Sequence, residues 1–475
     1  MRALYLYLII LLEGYVVLSS ELLAIRLLVP FVGSGTETVA IIIAAVLMPL
    51  SLGYYVGGNY TVNKKRIGRS SIRNKLLQNV LTSSVILVLG LSYVLLELYF
   101  AVFENLSIEH RVIQATLYTV IFIVYPVYLL GQTVPLVSNY FRGSNLSKAT
   151  GTILTFSTIG SFVGATLSTL VLMSTIGVHN VVIVNKILLL FVVIILAKKV
   201  YSPSNIIMIF VVVLAYGLNN NSMISSLGIV ENNNYSLIAI EEGEEEGVKN
   251  MIINRSYAAK FSENPEHRFG HVQYIEKTFL NHLPSKAEEG EKKSILVIGA
   301  GGFTIGQDDK YNDYTFIDID PTLKRISEEY LFERKLNENH VFVPMPARAF
   351  FNKNKDKYDL IFLDAFTNVI STPYQLITQE FFEQSRGHLK GGGILLFNVI
   401  TSPVFATRFS VKIDNTFRKV FPNYNRHVIQ EYNGWSGDRT DESDSKMVNV
   451  IYSYRNSDYS KGDYTDNINT YFLDR

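Results

Sequence analysis

The stretch SILVIGAGGFTIGQDDKYNDYTFIDID, residues 294–320, decides how the second half of this chain folds. It reads as a short apolar run, a glycine-rich turn, and a second apolar run ending in aspartates. Short apolar runs bounded by turn residues mark buried strands. Glycine lets the backbone turn sharply after such a strand and approach a ligand closely. Downstream come HVFVPM, DLIFLDAF and GGILLFNVI, with the helical stretches LKRISEEYLFERKL and TQEFFEQSRGHL among them. That alternation predicts an α/β domain with a parallel, doubly wound sheet. Upstream, YSLIAIEE and VKNMIINRSYAAKF flank EEGEEEG and predict a small β-hairpin, followed by the helical segment HVQYIEKTFLNHL. The glutamate run 241–246 reads as a solvated turn.

Ligands of such sheets sit at the carboxyl ends of the strands, beside the switch in strand order. Gly299, Gly301 and Gly302 end the first run and are candidate cofactor-binding residues. Thr304 stands where a dinucleotide fingerprint has its last glycine, so the loop suits a nucleoside rather than a pyrophosphate. Asp318 ends the second run, placed to accept both ribose hydroxyls. Asp320 shares that end; standing before Pro321, it also reads as a helix cap. Asp364 ends the fourth run beside AFTNVISTPY, placed as a base or as an anchor for a cationic nucleophile. Tyr274 and Glu276 precede the first run and are candidates to line the same mouth.

The first half is different in kind. Apolar stretches fall at roughly 3–20, 36–57, 79–101, 112–131, 152–174, 179–198 and 204–218, against about 20 residues for a bilayer crossing. Basic residues follow alternate stretches: Lys64, Lys65, Arg66, Arg69, Arg73 and Lys75, then Arg142 and Lys148, then Lys198 and Lys199. With Arg2, this bias puts the N-terminus in the cytoplasm. The last stretch is short, so six or seven spans are expected. Glu13 lies mid-span and reads as a polar internal site. Glu21 and Arg26 are expected past the first span, paired with each other or reaching the headgroups. Gly160 and Gly164, four apart, predict close helix packing.

Net charge is +1 over 475 residues, which offers no field for nucleic acid. With no cysteine and eight scattered histidines, no metal site is expected. The expected division is a transmembrane domain over 1–220, a linker with hairpin and helix over 221–290, and a catalytic domain over 291–475.

The hairpin, the Y-x-E helix, the GxGG loop, the D-x-D strand, YDLIFLDAF and L-x-T-x-EF together resemble the spermidine synthases, the polyamine aminopropyltransferases. ELLAIRLLVPFVGSG, LGYYVGG, LLGQTVPL and FSTIGSFVGA resemble the transmembrane branch of that family. The resemblance implies a class I methyltransferase-like (Rossmann-like) sheet and a metal-free transfer of an aminopropyl group from decarboxylated S-adenosylmethionine to an amine, releasing methylthioadenosine. It implies that Asp318 holds the ribose and Asp364 positions and deprotonates the amine. It makes Tyr274 and Glu276 the outer members of a Tyr-His-Glu segment. Four family features depart: Ile275 replaces the middle histidine, Pro346 stands for the adenine-reading aspartate, a second loop aspartate is absent with Thr367 and Asn368 nearby, and the glutamine after the hairpin is not evident, with Ala258 in that region.

The function expected is a membrane-bound transferase using S-adenosylmethionine or its decarboxylated form. The alternatives are a methyltransferase of the same fold, or a transporter whose soluble half senses a nucleoside. Expected partners are the lipid bilayer and an amine or membrane-associated acceptor; a homodimer is left open. Because the donors are made in the cytoplasm, the soluble half is expected there, on a multi-pass cell-membrane protein.

Overall fold

The computed structural model describes residues 3–33, 35–60, 69–108, 110–139, 146–197, 199–365, 373–429 and 447–456. Arg2, Lys64, Lys65, Arg66, Arg142 and Lys198 lie outside the described residues. The chain divides into two compact units, at Ala239 and Ile240.

Among the described residues, six helices of the first unit are long and apolar enough to cross a membrane. They are α1 (Leu4–Val32), α2 (Glu37–Asn59), α5 (Arg111–Ser138), α6 (Ser147–Thr175), α7 (Val178–Leu196) and α8 (Pro203–Ser226). Between α2 and α5, α3 (Ser70–Gly90) and α4 (Tyr93–Asn105) form one apolar pair bent by 63°. The continuous stretch expected over 79–101 is therefore broken. Ser92 takes an extended backbone and begins a new helix there, and serine favours that start. In α5 the ladder loosens to a π-turn at Val120–Val124, just before Pro126, whose nitrogen has no proton to donate.

These helices turn large apolar side chains outward: Met48, Phe162, Leu170 and Phe210 are each 65–69% exposed. In water such a surface would aggregate; in hydrocarbon it is solvated. Inside, the glycines set the spacing. A Cβ on Gly14 would lie 2.5 Å from the Ser157 carbonyl oxygen. One on Gly160 or Gly164 would run into the carbonyls of Leu11 and Tyr15, so α1 and α6 meet backbone to backbone. Helix α1 is 29 residues long, about 44 Å at 1.5 Å per residue, and not the stretch 3–20 expected. Glu21 and Arg26 consequently lie inside it, both buried, and Arg26 Nε donates to the Asn233 carbonyl over 2.8 Å.

Strands β1 (Ile229–Asn232), β2 (Leu237–Glu242), β3 (Lys249–Ile253) and β4 (Ser256–Phe261) follow in one sheet, in the order β1-β2-β3-β4. The expected hairpin is thus part of a larger sheet. The run read as its second arm is itself a hairpin, because Asn254 and Arg255 both take left-handed backbone, φ 49° and 64°. Helix α9 (Gly270–Thr278) comes next.

The second unit is built on β5 (Ser294–Ile298), β6 (Asp313–Asp318), β7 (His340–Pro344), β8 (Tyr358–Leu363), β9 (Leu389–Thr401), β10 (Tyr424–Ile429) and β11 (Val448–Arg455). Their order is β10-β11-β9-β8-β5-β6-β7. Strands β5 to β9 are parallel neighbours, and β11 runs antiparallel between β9 and β10. Short helices α10 (Leu323–Ile326) and α11 (Ala347–Lys353), then α12 (Gln379–Gly387) and α13 (Arg408–Val420), make the crossovers. One face is an aromatic core: Phe381, Phe382, Phe397, Phe417, Phe421 and Tyr452 are nearly fully buried. The last strand pair was not expected. YNRHVI is mostly polar and carries no long apolar run, whereas VNVIYSYR is almost wholly buried between its neighbours.

Candidate active site

The chain lays down β5, β6 and β7 toward one edge, then returns to place β8 on the other side of β5. The carboxyl ends of β5 and β8 therefore flank the switch point, where a doubly wound sheet leaves a crevice. Gly299 follows β5 and Asp364 follows β8. The two touch through backbone: a Cβ on Gly299 would collide with the Asp364 carbonyl, and its φ is 93°. A side chain there would push Asp364 out of place.

Asp318 ends β6 next door. Its Oδ2 accepts from the Ala300 amide over 3.0 Å and its Oδ1 from the Asp320 amide over 3.1 Å. This carboxylate thus ties the glycine turn to its own strand end. Burial raises its pKa to about 6, against the pull of those amides. Asp320 is buried, and its Oδ1 accepts from both the amide and the hydroxyl of Thr322, at 2.9 and 2.7 Å, which spends it on the turn into α10.

Asp364 is half-buried. Asn398 Nδ2 donates to its Oδ1 over 2.8 Å, and His271 Nε2 stands 3.8 Å from its Oδ2. Burial pushes the carboxyl above its ordinary range; His271 and Asn398 oppose this. Neither partner was expected. His271 sits three residues before Tyr274 on α9, and Asn398 is the one polar residue in ILLFNVI, a signal the sequence did carry.

The other candidates disperse. Gly301 has φ 49° and approaches the Ala258 carbonyl, whereas a Cβ on Gly302 would meet Ala259 Cβ at 2.5 Å and Leu331 at 2.6 Å. Gly302 thus serves to pack the turn on β4. Tyr274 stacks flat on His427 of β10, ring centroids 3.9 Å apart. Glu276 accepts from the Gly306 amide over 3.2 Å and pairs with Arg268 at 3.3 Å, while Arg268 also binds Asp308 at 2.7 Å. Burial raises the Glu276 pKa, with Arg268 and the Gly306 amide opposing. Five residues apart on a helix, His271 and Glu276 point roughly 140° from each other. Pro346 starts α11, where the resemblance would put an adenine-reading acid. Thr367 and Asn368 lie outside the described residues. No group able to hold a metal occurs among the described residues. A broad groove of about 430 Å³, lined by Lys357, Arg386 and Leu389, opens at the amino ends of β8 and β9, the edge away from these carboxylates.

No family model matches the chain. It is 37% identical over 140 residues to a polyamine aminopropyltransferase of Saccharolobus islandicus, covering 27% of this chain and 46% of that one. Over that stretch the soluble half is similar to the polyamine aminopropyltransferases. A polyamine aminopropyltransferase of Oceanobacillus iheyensis is 27% identical over 218 residues, 43% of this chain and 40% of that one. The chain thus spans about half the length of the curated relatives it matches. A probable spermidine synthase from Corynebacterium glutamicum aligns in structure with TM-score 0.38 and 19% identity, over 49% of this chain and 80% of that one. The spermidine synthase from Thermotoga maritima aligns with TM-score 0.35 and 17% identity, over 47% and 70%. The apolar helices of the first unit are compatible with the transmembrane branch of the spermidine synthase family.

Proposed function

We propose that this chain is a membrane-bound, aminopropyltransferase-like enzyme acting on decarboxylated S-adenosylmethionine. The observation that carries the reading is Asp364, set against Gly299 at the switch point with Asn398 and His271 on its carboxylate. Asp318, one strand over, takes the ribose hydroxyls. The amine nitrogen then attacks the carbon next to the sulfonium. A C–N bond forms, the C–S bond breaks, and methylthioadenosine leaves as a neutral thioether that needs no acid. The proton shed by the nitrogen goes to Asp364 and on to solvent. Holding donor and amine in line supplies about 7 kcal/mol or more of the barrier in well-oriented systems; a placed base adds roughly 10²–10⁴-fold. Each ammonium group of an acceptor needs its own carboxylate in a desolvated channel. The second loop aspartate of the family is absent here, with Thr367 and Asn368 nearby, which favours an acceptor with few ammonium groups.

The test is mass spectrometry after incubating the purified full-length protein with an amine panel and each donor in turn. Methylthioadenosine from the decarboxylated donor is expected. S-Adenosylhomocysteine from the intact donor would move the protein to the methyltransferase alternative, and neither product would overturn the enzyme reading.

The side of the membrane turns on the bent pair. Helix α4 has 13 residues, about 20 Å, and the apolar end of α3 adds nearly as much. Sharing the bend, the pair covers roughly the 30 Å hydrocarbon core. Counted as a span it makes seven, and every basic loop, at 64–75, 142–148 and 198–199, then shares the N-terminal side. Counted as re-entrant, it leaves Arg142, Lys148, Lys198 and Lys199 opposite, against the rule for basic loops. The charge pattern thus supports seven spans and a soluble half outside the cytoplasm, contrary to the expectation drawn from the donor's source. A reporter fused after residue 230 decides: phosphatase activity supports this placement, and cytoplasmic fluorescence overturns it.

A further inference from the structure

The membrane unit holds a carboxylate that the transfer reaction does not use. Glu13, in the middle of α1, is 3% exposed. Its Oε1 accepts from the Thr133 hydroxyl over 2.6 Å, while its Oε2 has no hydrogen-bond partner among the described residues. The side chain faces a cavity of about 40 Å³ where four helices converge. Tyr54 of α2, Thr133 of α5, and Ser157 and Ser161 of α6 line it with Glu13, and Ile10 and Leu50 supply apolar wall. The volume admits about three or four water-sized groups, at roughly 10–15 Å³ each. No basic residue lines it.

Ionised, a carboxylate in hydrocarbon requires a cationic partner, since an unsatisfied charge there costs several kcal/mol. One negative charge balances one positive charge, which argues against a divalent ion. The polar lining is entirely oxygen. The Thr133 hydroxyl already donates its hydrogen bond to Glu13, and Ser161 Oγ donates to the Gly14 carbonyl over 3.3 Å, leaving lone pairs on both oxygens. Three N–H donors would find Glu13 Oε2 and hydroxyl oxygens, with the carbon stem against Ile10 and Leu50. We propose that Glu13 and the hydroxyls around it form an intramembrane site for the primary ammonium head of a small alkylamine. The site goes beyond the transferase reading and does not depend on it.

Binding of radiolabelled n-propylammonium to the full-length protein in lipid nanodiscs tests this. Measured on the Asp364→Asn protein, where the transferase acceptor site is disabled, saturable binding is expected to persist and Glu13→Gln added to it to weaken it at least tenfold, so failure here and failure of the transferase reading separate. Tetramethylammonium, which has no N–H, should not compete, and neither should sodium at equal concentration. Unchanged binding in Glu13→Gln, or sodium competing as well as the amine, would overturn the site. Should Glu13→Gln fail to fold, Tyr54→Phe and Ser161→Ala each remove one acceptor and are expected to weaken binding about three- to tenfold; no effect from either also overturns it.

Discussion

The two units treat buried charge in opposite ways. In the soluble half, Asp318 accepts from two backbone amides and Asp364 from a side-chain amide. In the membrane half, Glu13 has one hydroxyl, and Lys186, fully buried on α7, has no hydrogen-bond partner for its amine among the described residues. The cause is the backbone. Where a parallel strand stops, its amides are free to point at a carboxylate. Within a membrane helix every amide is already bonded to the preceding turn, so only side chains can meet a charge. Strand ends therefore make ready anion-tuned sites, whereas a charge in the helical half must find its partner elsewhere.

The largest effect that would sharpen this contrast is at Asp364. Asp364→Asn should keep the Asn398 neighbourhood and the fold yet lower turnover by about 10²–10⁴-fold, the range for a placed base; full turnover would remove its role.

Asp318 comes next. Asp318→Asn is expected to weaken binding of methylthioadenosine by roughly ten- to a hundredfold, as for hydrogen bonds to a charged group, by calorimetry. The sign of the pH effect follows from the acceptor role. Ribose hydroxyls donate to the ionised form, and burial places that group's pKa at about 6. Affinity should be flat above pH 6 and fall as pH drops through it; affinity that rises on acidification would break the assignment.

A smaller shift is expected from Asn398→Ala. Its hydrogen bond lowers the Asp364 pKa against burial, so losing it should move the acid limb of the pH–rate profile upward. A change in rate without that displacement would make Asn398 merely structural.

The smallest effect tests the other side of the contrast. Lys186→Met replaces an unpartnered buried amine by an apolar chain of similar length. It should raise the thermal midpoint in detergent, by about 1–3 kcal/mol of stability. Destabilisation would show that the amine has a partner in the working protein.

Much of this was legible beforehand. The glycine turn, the acids at 318 and 364, and the five parallel strands show as local composition, because a buried strand announces itself by its apolar run. Strands β10 and β11 did not show. YNRHVI is mostly polar, so no apolar run shows where it docks. The break at Ser92 was hidden for a similar reason, since Gly-Leu-Ser interrupts an otherwise apolar stretch without changing its hydropathy.

What the amino-acid order determined alone was the division into an apolar helical half and an α/β half, and the strand-end positions of Gly299, Asp318 and Asp364. Burial preference and chain stiffness act over a few residues, so a local pattern suffices to read them. Only the tertiary structure decided which groups meet. It brought His271 and Asn398 to Asp364 from 93 and 34 residues away. It stacked Tyr274 on His427, turned Glu276 toward Arg268, and gathered Thr133, Tyr54 and Ser161 around Glu13. Such contacts follow from strand order and helix packing, which are set by the whole core and by no single segment.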